Sequence, residues 1–340
     1  MRNTRDSGLA RAFRSVGRGE LATIVLLALA FVVPFASRSP LAFSLTNQIV
    51  IAAIAAFSVY IMLRMDLLSF ALPAFMALGG YAIAIAATAG ITNLIALLVI
   101  SFAVPALVAV PLGALVLRLK GTYFVLITFA FNEVMQLLLF ELKALTGGSN
   151  GISGVPATTL MGMEFSSNQA VLVVTCVIGV LAAIITAAVT VFYRREFAAI
   201  SENETLAMSL GLVSRRYKTI GLVVSGGVAG LAGFALVNML LTAHPSSFST
   251  LSGFSYVVFA IVGGRASMMG PLLGAAVLTT ATLLFSTKGQ YSPALYGILV
   301  IAVVMLARNG IAGIRLPSLA RRHVKPRADE QSFNRAEKTT

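Results

Sequence analysis

The chain of 340 residues has few charges, one cysteine and two histidines, and each scarcity excludes a class of protein. Charged residues make up 11% of it, whereas soluble domains carry roughly 25%, so an ordinary soluble domain is excluded. Cys176 alone permits no internal disulfide and no cysteine-based metal site. Because His244 and His323 lie far apart in sequence, we find neither a nucleophile–base arrangement nor a metal site, and no enzyme class is indicated.

A phosphate-binding motif is also missing. The pattern G-x-x-x-x-G-K-[ST] occurs nowhere in the chain. The glycine-rich stretch 146–156 has no following lysine and no following helix start, so phosphate binding is not expected there. The chain is therefore not a P-loop ATPase, and we expect it to bind no cofactor itself.

Hydrophobic residues dominate what is present. They make up 58% of the chain, and its mean hydropathy is +0.92. A membrane span needs about 20 apolar residues, and in hydrocarbon only helices and closed barrels satisfy every backbone polar group. Runs such as Ala170–Phe192 do not alternate as barrel strands do. The fold class predicted is an all-α polytopic membrane protein.

The positions of the charges explain the net charge of +13. Basic residues crowd residues 1–20, a predicted cytosolic arm, and residues 308–340, a predicted cytosolic tail. Such flanking charge is typical of the positive-inside rule and does not indicate nucleic acid. We therefore predict a membrane domain over residues 21–307 with both termini in the cytosol.

About ten transmembrane or re-entrant helices, with a range of eight to ten, are predicted within this domain. Pro73 and the pair Gly79–Gly80 predict a kink or break in the third. Glycines in the seventh predict close helix packing, and the eighth is short enough to be re-entrant. The predicted spans are about Leu21–Ala36, Leu41–Leu63, Leu67–Ala89, Asn93–Leu117, Thr122–Phe140, Gln169–Tyr193, Thr219–Thr242, Gly253–Gly264, Pro271–Thr287 and Tyr291–Ala307.

Two loops and one polar cluster stand out. Residues 141–168 form a predicted outer loop, and residues 194–218 a charged cytosolic loop. Within the cytosolic loop, residues 202–211 begin with acidic residues and end with glycine, a pattern typical of a capped helix. This helix either docks a partner or only connects two spans. Asn132, Glu133 and Gln136 lie within the fifth span, either facing a transport pathway or closing interhelical hydrogen bonds.

Four motifs in order resemble the branched-chain amino-acid permeases of ABC importers, most closely the M-type permease subunit. TGGSNGISGVP at 146–156 resembles that family's TGGxNGIxGIP loop. ENETLAMSLG at 202–211 is similar to its version of the EAA loop, and TFAFNE at 128–133 to its TLGFGE stretch. GGRASMMGPLLG at 263–274 resembles its GGxGSLxGPxxGA segment.

The resemblance implies a transport subunit of a bacterial cytoplasmic membrane that does not hydrolyse ATP itself. Its expected partners are a second permease subunit (a paralogue), two cytosolic ATPases that bind the ATP, and an extracytoplasmic substrate-binding protein. Three sets of site residues are expected, of which the resemblance implies the coupling and outer-loop sets and the polar cluster of the fifth span supplies the pathway set. These are the ATPase-coupling residues Glu202, Glu204, Ala207 and Gly211, the pathway residues Asn132, Glu133 and Gln136, and the outer-loop residues Gly147, Gly148, Asn150, Gly151 and Gly154.

The chain departs from the family at 68–81, where LSFALPAFMALGGY stands in place of LSLGHAAFFGIGAY. Ala71 and Leu72 replace the family's glycine and histidine, and Pro73 is added. If this helix lines the pathway, the substrate differs from branched-chain amino acids, and urea, amides, sugars and nucleosides are alternatives. An ion-coupled secondary transporter is the alternative of another class.

Overall fold

The computed structural model describes residues 18–33, 39–119, 121–160, 162–265 and 267–286, together with 294, 297–299, 301 and 305. The described chain is a bundle of α-helices with four two-residue strands at one end, and its long connection 142–167 contains a one-turn helix, Lys143–Thr146. The helices are α1 Arg18–Leu29, α2 Pro40–Leu63, α3 Leu72–Thr88, α4 Leu94–Val116, α5 Thr122–Glu141, α6 Asn168–Phe192, α7 Arg194–Ser209, α8 Ser214–Leu240, α9 Thr250–Gly263 and α10 Met269–Ser286.

Six helical segments of the described chain are long and apolar enough to cross a membrane, and three shorter helices are apolar. The six are α2, α4, α5, α6, α8 and the combined segment Pro245–Gly263, which includes α9. The shorter ones are Gly19–Val32, Leu72–Thr88 and Met269–Phe285. Most of the predicted span Tyr291–Ala307 lies outside the described residues, as do the tail 308–340 and most of the arm 1–20.

The predicted break in the third span is wrong. Residues 67–71 are not helical, and α3 begins at Leu72 with Pro73 in its first turn. Proline is tolerated there because the first N–H groups of a helix have no partner within it. Gly79 and Gly80 lie inside the unbroken helix, against α8.

Glycines of α8 set the centre of the bundle, as the sequence predicted. A methyl group added at Gly230 would lie 2.0 Å from the Ser101 carbonyl oxygen of α4. One added at Gly79 of α3 would lie 2.4 Å from the Gly230 Cα. Because no other residue fits these contacts without separating the backbones, α8 packs directly on both helices.

The loops sort to two ends of the bundle. At one end, Arg64, Ala198 and Arg265 line one cleft, and α7 lies there. At the other end, β1 (Ile152–Ser153) pairs antiparallel with β4 (Thr242–Ala243). There β2 (Thr159–Leu160) also pairs with β3 (Met163–Glu164), and the Thr159 N–H donates to the Thr92 carbonyl at 2.8 Å. The predicted outer loop 141–168 and the predicted cytosolic loop 194–218 therefore lie at opposite ends of the bundle.

The eighth predicted span lies within Pro245–Gly263, which we call the broken crossing because it is long and apolar enough to cross a membrane but is only partly α-helical. From β4 the chain passes through a 3-10 turn, Pro245–Phe248, and an extended Ser249 into α9. The centroids of the Phe248 and Tyr81 rings are 6.0 Å apart, and Gly253 lies against Pro73 at the start of α3. The segment thus runs beside α3 from Tyr81 to Pro73, and its helical structure is interrupted at Ser249.

Candidate functional site

The charged loop folds into a kinked helix followed by a glycine stop. Asn203 interrupts α7 with φ −159° and ψ 100°. Its side-chain Oδ1 accepts the Leu206 N–H at 3.0 Å, as an N-cap does. A second short helical segment therefore starts at residue 204, two residues later than the helix predicted from 202.

The end of this segment lies where the sequence predicted it. Gly211 has φ +90°, a conformation that favours glycine. The Leu212 N–H donates to the Ala207 carbonyl and the Gly211 N–H to the Met208 carbonyl, both at 3.0 Å. These two bonds form the Schellman motif, which stops a helix and satisfies its last carbonyls.

Glu204 points back into the bundle and binds the start of α8. Its Oε1 lies 2.6 Å from the Lys218 Nζ and accepts the Ser214 hydroxyl at 2.6 Å. The Lys218 side chain is 3% exposed and that of Glu204 19% exposed. Ala207 is buried as well. Of the four predicted coupling residues, Glu204 and Ala207 therefore face the bundle, while Glu202 and Gly211 are exposed.

A row of exposed apolar side chains lies on the opposite face of the short segment. Leu206, Leu210 and Val213 are exposed, Leu210 by 81%. Leu206 and Leu210 are four residues apart and share one side of the short helix, and Val213 follows its glycine stop. Sequence reasoning missed these residues, although apolar residues at helical spacing inside a polar loop were the available signal. We call them the apolar row; it forms a surface beside the buried Glu204–Lys218 pair.

The polar residues of α5 hold the broken crossing. The Asn132 Nδ2 donates to the Thr250 Oγ1 at 2.7 Å, and the Thr250 hydroxyl donates in turn to the Glu133 carboxylate. The Gln136 Nε2 donates to the Pro245 carbonyl at 3.0 Å. The sequence left two alternatives for these three residues, a transport pathway or interhelical hydrogen bonds. In the structure all three make interhelical hydrogen bonds.

Glu133 nevertheless lies on the surface of the described bundle. It is exposed near the middle of α5, beside the non-helical backbone around Ser249. A carboxylate at such depth costs about 2.5–3.5 kcal/mol on insertion scales, and irregular backbone is not tolerated against lipid tails. This face, which we call the Glu133 face, therefore needs protein or water against it.

The outer-loop glycines build a tight turn. Gly147, Gly148, Gly151 and Gly154 all have positive φ, between +60° and +74°. A methyl group on Gly147 would lie 2.1 Å from the Gly151 carbonyl oxygen, and one on Gly151 would lie 2.3 Å from the Ala243 carbonyl oxygen. Asn150 is exposed within this turn. The backbone conformation and the close contacts thus explain why glycine occupies these positions, without any bound ligand.

Known proteins match most of the chain. A family model described as "Branched-chain amino acid transport system / permease component" matches residues 41–308. Two curated relatives are each named "High-affinity branched-chain amino acid transport system permease protein LivM". One is from Escherichia coli (strain K12) and is 28% identical over 232 residues, and the other is from Salmonella typhimurium (strain LT2) and is 27% identical.

The alignments cover 61% of this chain and 55% of each relative, so the chain spans about half the length of the relatives it matches. No solved structure gives a significant match.

Proposed function

The chain belongs to the family of branched-chain amino acid transport permease components, and we propose that it forms one membrane subunit of an ABC importer. The substrate we propose is a branched-chain or related amino acid, because both relatives carry that substrate in their names. If α3 lines the pathway, the altered segment 68–81 favours a related amino acid over the relatives' own substrate range. The importer would lie in a bacterial cytoplasmic membrane.

The single observation that carries the proposal is the apolar row on a rigidly held helix at one end of the bundle. Leu206, Leu210 and Val213 are exposed there, next to charged side chains of an extramembrane loop. Exposed apolar clusters rimmed by polar residues mark protein interaction sites. A cytosolic ATPase with an apolar groove is the partner that suits this row, and it would supply the ATP hydrolysis.

The Glu133 face supports a second permease subunit as partner. Protein or a water-filled pathway must cover a carboxylate and broken backbone at membrane depth. Two subunits that meet on such faces would enclose a polar route between them. In this arrangement Asn132 and Gln136 hold the broken crossing, and Glu133 borders the route.

Movement would pass from the ATPase to the bundle through the short helix. The Glu204–Lys218 pair ties that helix to α8, and α8 packs through glycines on α3 and α4. Closure of the ATPases would displace the short helix and bias the bundle between outward-open and inward-open states. The glycine turn at the opposite end would face the substrate-binding protein, and in this orientation both termini would lie in the cytosol.

The test is purification of the tagged chain in mild detergent, followed by mass spectrometry. We expect two ATPases and a paralogous permease with the parent chain. Leu210→Glu should reduce ATPase capture at least ten-fold, because it places a charge in an apolar contact. The matched control is Met163→Glu, which alters an exposed apolar residue at the other end and should leave capture unchanged.

A chain that purifies alone, even after cross-linking, contradicts the importer. Uptake that collapses with the ion gradient and persists without ATP would then assign the chain to ion-coupled secondary transport. Glu133 is the residue that favours this alternative, since it is an exposed carboxylate within a span.

A further inference from the structure

A cleft of about 310 Å³ opens at the end of the bundle that carries α7. It lies among the end of α2, α7 and the turn between α9 and α10, and two of the residues that line it are arginines. The lining residues are Leu63, Arg64, Ala198, Ser201 and Arg265. We call it the arginine cleft. Its volume is at the lower end of the range of about 300–1,000 Å³ that small-molecule sites occupy, and none of the described residues that line it is acidic.

Arg64 brings to this cleft hydrogen-bond donors that the described protein does not use. It follows the last residue of α2 and is half-buried. Within the described chain its guanidinium makes no hydrogen bond and no ion pair; the Nε is buried, while the two outer nitrogens are accessible. The N–H donors of a guanidinium form a fixed fork that fits two oxygens of one anion. The outer nitrogens of Arg64 are therefore free to hold an anion.

Arg265 brings a second guanidinium to the cleft. Asp66 pairs with it at the surface, where the two side chains are 64% and 63% exposed. This pair uses one nitrogen of Arg265 and leaves the other donors of its fork free. The Ser201 hydroxyl is already used, because it donates to the Ala198 carbonyl at 2.9 Å. The donors that the cleft offers to a ligand are thus those of its two arginines.

The side chains around Arg64 carry a net positive charge. Arg194 begins α7 and is exposed. Arg64, Arg194 and Glu20 all lie close enough to the Tyr60 hydroxyl to interact with it electrostatically. Glu20 can offset only one of these two arginines, so a positive charge remains beside the cleft. Such a surplus raises the local concentration of anions.

The cleft lies at the depth where lipid headgroups lie. The helix α2 has 24 residues, so it is about 36 Å long, and the hydrocarbon core of a bilayer is about 30 Å thick. Arg64, at the end of α2, therefore lies outside the hydrocarbon. Tyr193 follows the last residue of α6 at the same end, and tyrosine is enriched at membrane interfaces. Basic pockets between membrane helices bind phosphate-bearing headgroups at this depth, and soluble phosphate reaches it from the water.

We propose that the arginine cleft binds a phosphate group, carried either by an anionic phospholipid headgroup or by a soluble phosphate. The guanidinium of Arg64 would hold two oxygens of this group, and Arg265 would donate to it from the rim. Hydrogen bonds between arginine and phosphate are charge-assisted and roughly twice as strong as neutral ones. The bound group would join α2 to the turn after α9 and would hold α7 against the bundle. This inference does not depend on the importer, because it concerns this chain alone.

The test has one arm for each source of phosphate and uses the full-length chain in non-ionic detergent. In the first arm, native mass spectrometry follows the binding of phosphatidylglycerol, with diacylglycerol of the same acyl chains as the ligand that lacks phosphate. In the second arm, inorganic phosphate is titrated at constant ionic strength, and the midpoint of thermal unfolding is read, since a ligand of the folded state raises it. We expect saturable binding in at least one arm and no comparable binding of diacylglycerol. Saturation in the first arm identifies a lipid headgroup, and saturation in the second alone identifies a soluble phosphate.

Arg64→Gln should weaken the binding roughly ten-fold, because it removes charge-assisted hydrogen bonds. Arg216→Gln is the matched control: it makes the same charge change at the same end of the bundle, on an exposed residue that does not line the cleft. It should leave the affinity unchanged. The midpoint without ligand checks that each variant folds. If Arg64→Gln does not fold, Arg265→Gln replaces it, with an expected loss of about three-fold because this residue lies at the exposed rim.

Three results would overturn the proposal. Equal losses of binding in the Arg64 variant and in Arg216→Gln would show that the anion responds to overall charge and has no site in the cleft. Equal binding of diacylglycerol and phosphatidylglycerol would show that the acyl chains alone are recognised. Reduced ATPase capture by Arg64→Gln, with phosphate binding unchanged in both arms, would show that the cleft is a contact for a partner protein.

Discussion

Removing the carboxylate of Glu204 should destabilise the protein more than removing the ammonium of Lys218. Glu204→Gln leaves a cation that is 3% exposed without its counter-charge. Breaking a buried pair in this way costs about 3–5 kcal/mol, and the 19% exposure of Glu204 favours the lower value. Lys218 also lies near the start of α8, where the helix dipole opposes a positive charge.

Lys218→Met should be far milder. Glu204 would keep the Ser214 hydroxyl bond and contact with water, and it starts a helical segment, where a negative charge is favoured. The methionine retains most of the apolar stem that lysine buries. We expect a loss of about 1 kcal/mol or less, and the double variant should resemble Lys218→Met rather than Glu204→Gln.

Cys176 provides the assay, because it is the only cysteine and is buried in α6. A thiol-reactive fluorogenic dye reports its exposure during heating of the detergent-purified protein. Each kcal/mol of lost stability lowers the midpoint temperature of unfolding by roughly 2–4 °C. We therefore expect this midpoint to fall by about 6–12 °C in Glu204→Gln and by about 4 °C or less in Lys218→Met.

Arg265→Gln is the control for this series. It breaks the Asp66–Arg265 pair, whose side chains are 63% and 64% exposed, and exposed pairs contribute only about 0–1 kcal/mol. A midpoint for Glu204→Gln within the range of this control would refute the reasoning. A larger fall in Lys218→Met than in Glu204→Gln would refute it as well.

Three further substitutions test the packing of the bundle, one of them as a control. Gly230→Ala should lower the midpoint by several degrees, since its methyl group would lie 2.0 Å from a backbone oxygen. Gly113→Ala should have little effect, since the nearest atom is a leucine methyl at 3.3 Å. Asn132→Leu should cost about 1–2 kcal/mol by removing the hydrogen bond that Asn132 donates to Thr250, read as a lower midpoint. An unchanged midpoint would count against the contact.

Several features of the fold could be predicted from the sequence because they depend on neighbours along the chain. Continuous apolar runs predict spans such as Pro40–Leu63, since every backbone group in lipid must be bonded within its own helix. Gly211 predicts the end of the short helix because few other residues adopt φ +90°. The position of Gly230 among other glycines predicts close packing, though it does not identify the helices that meet there.

Other features depended on contacts between distant residues. Whether Glu204 faces a partner or the bundle depends on Lys218, which reaches it only because α7 folds back on α8. Likewise, Asn132 meets Thr250 across 118 positions of sequence. Helical spacing tells which side chains share a face, but the packing of the other helices decides where that face points.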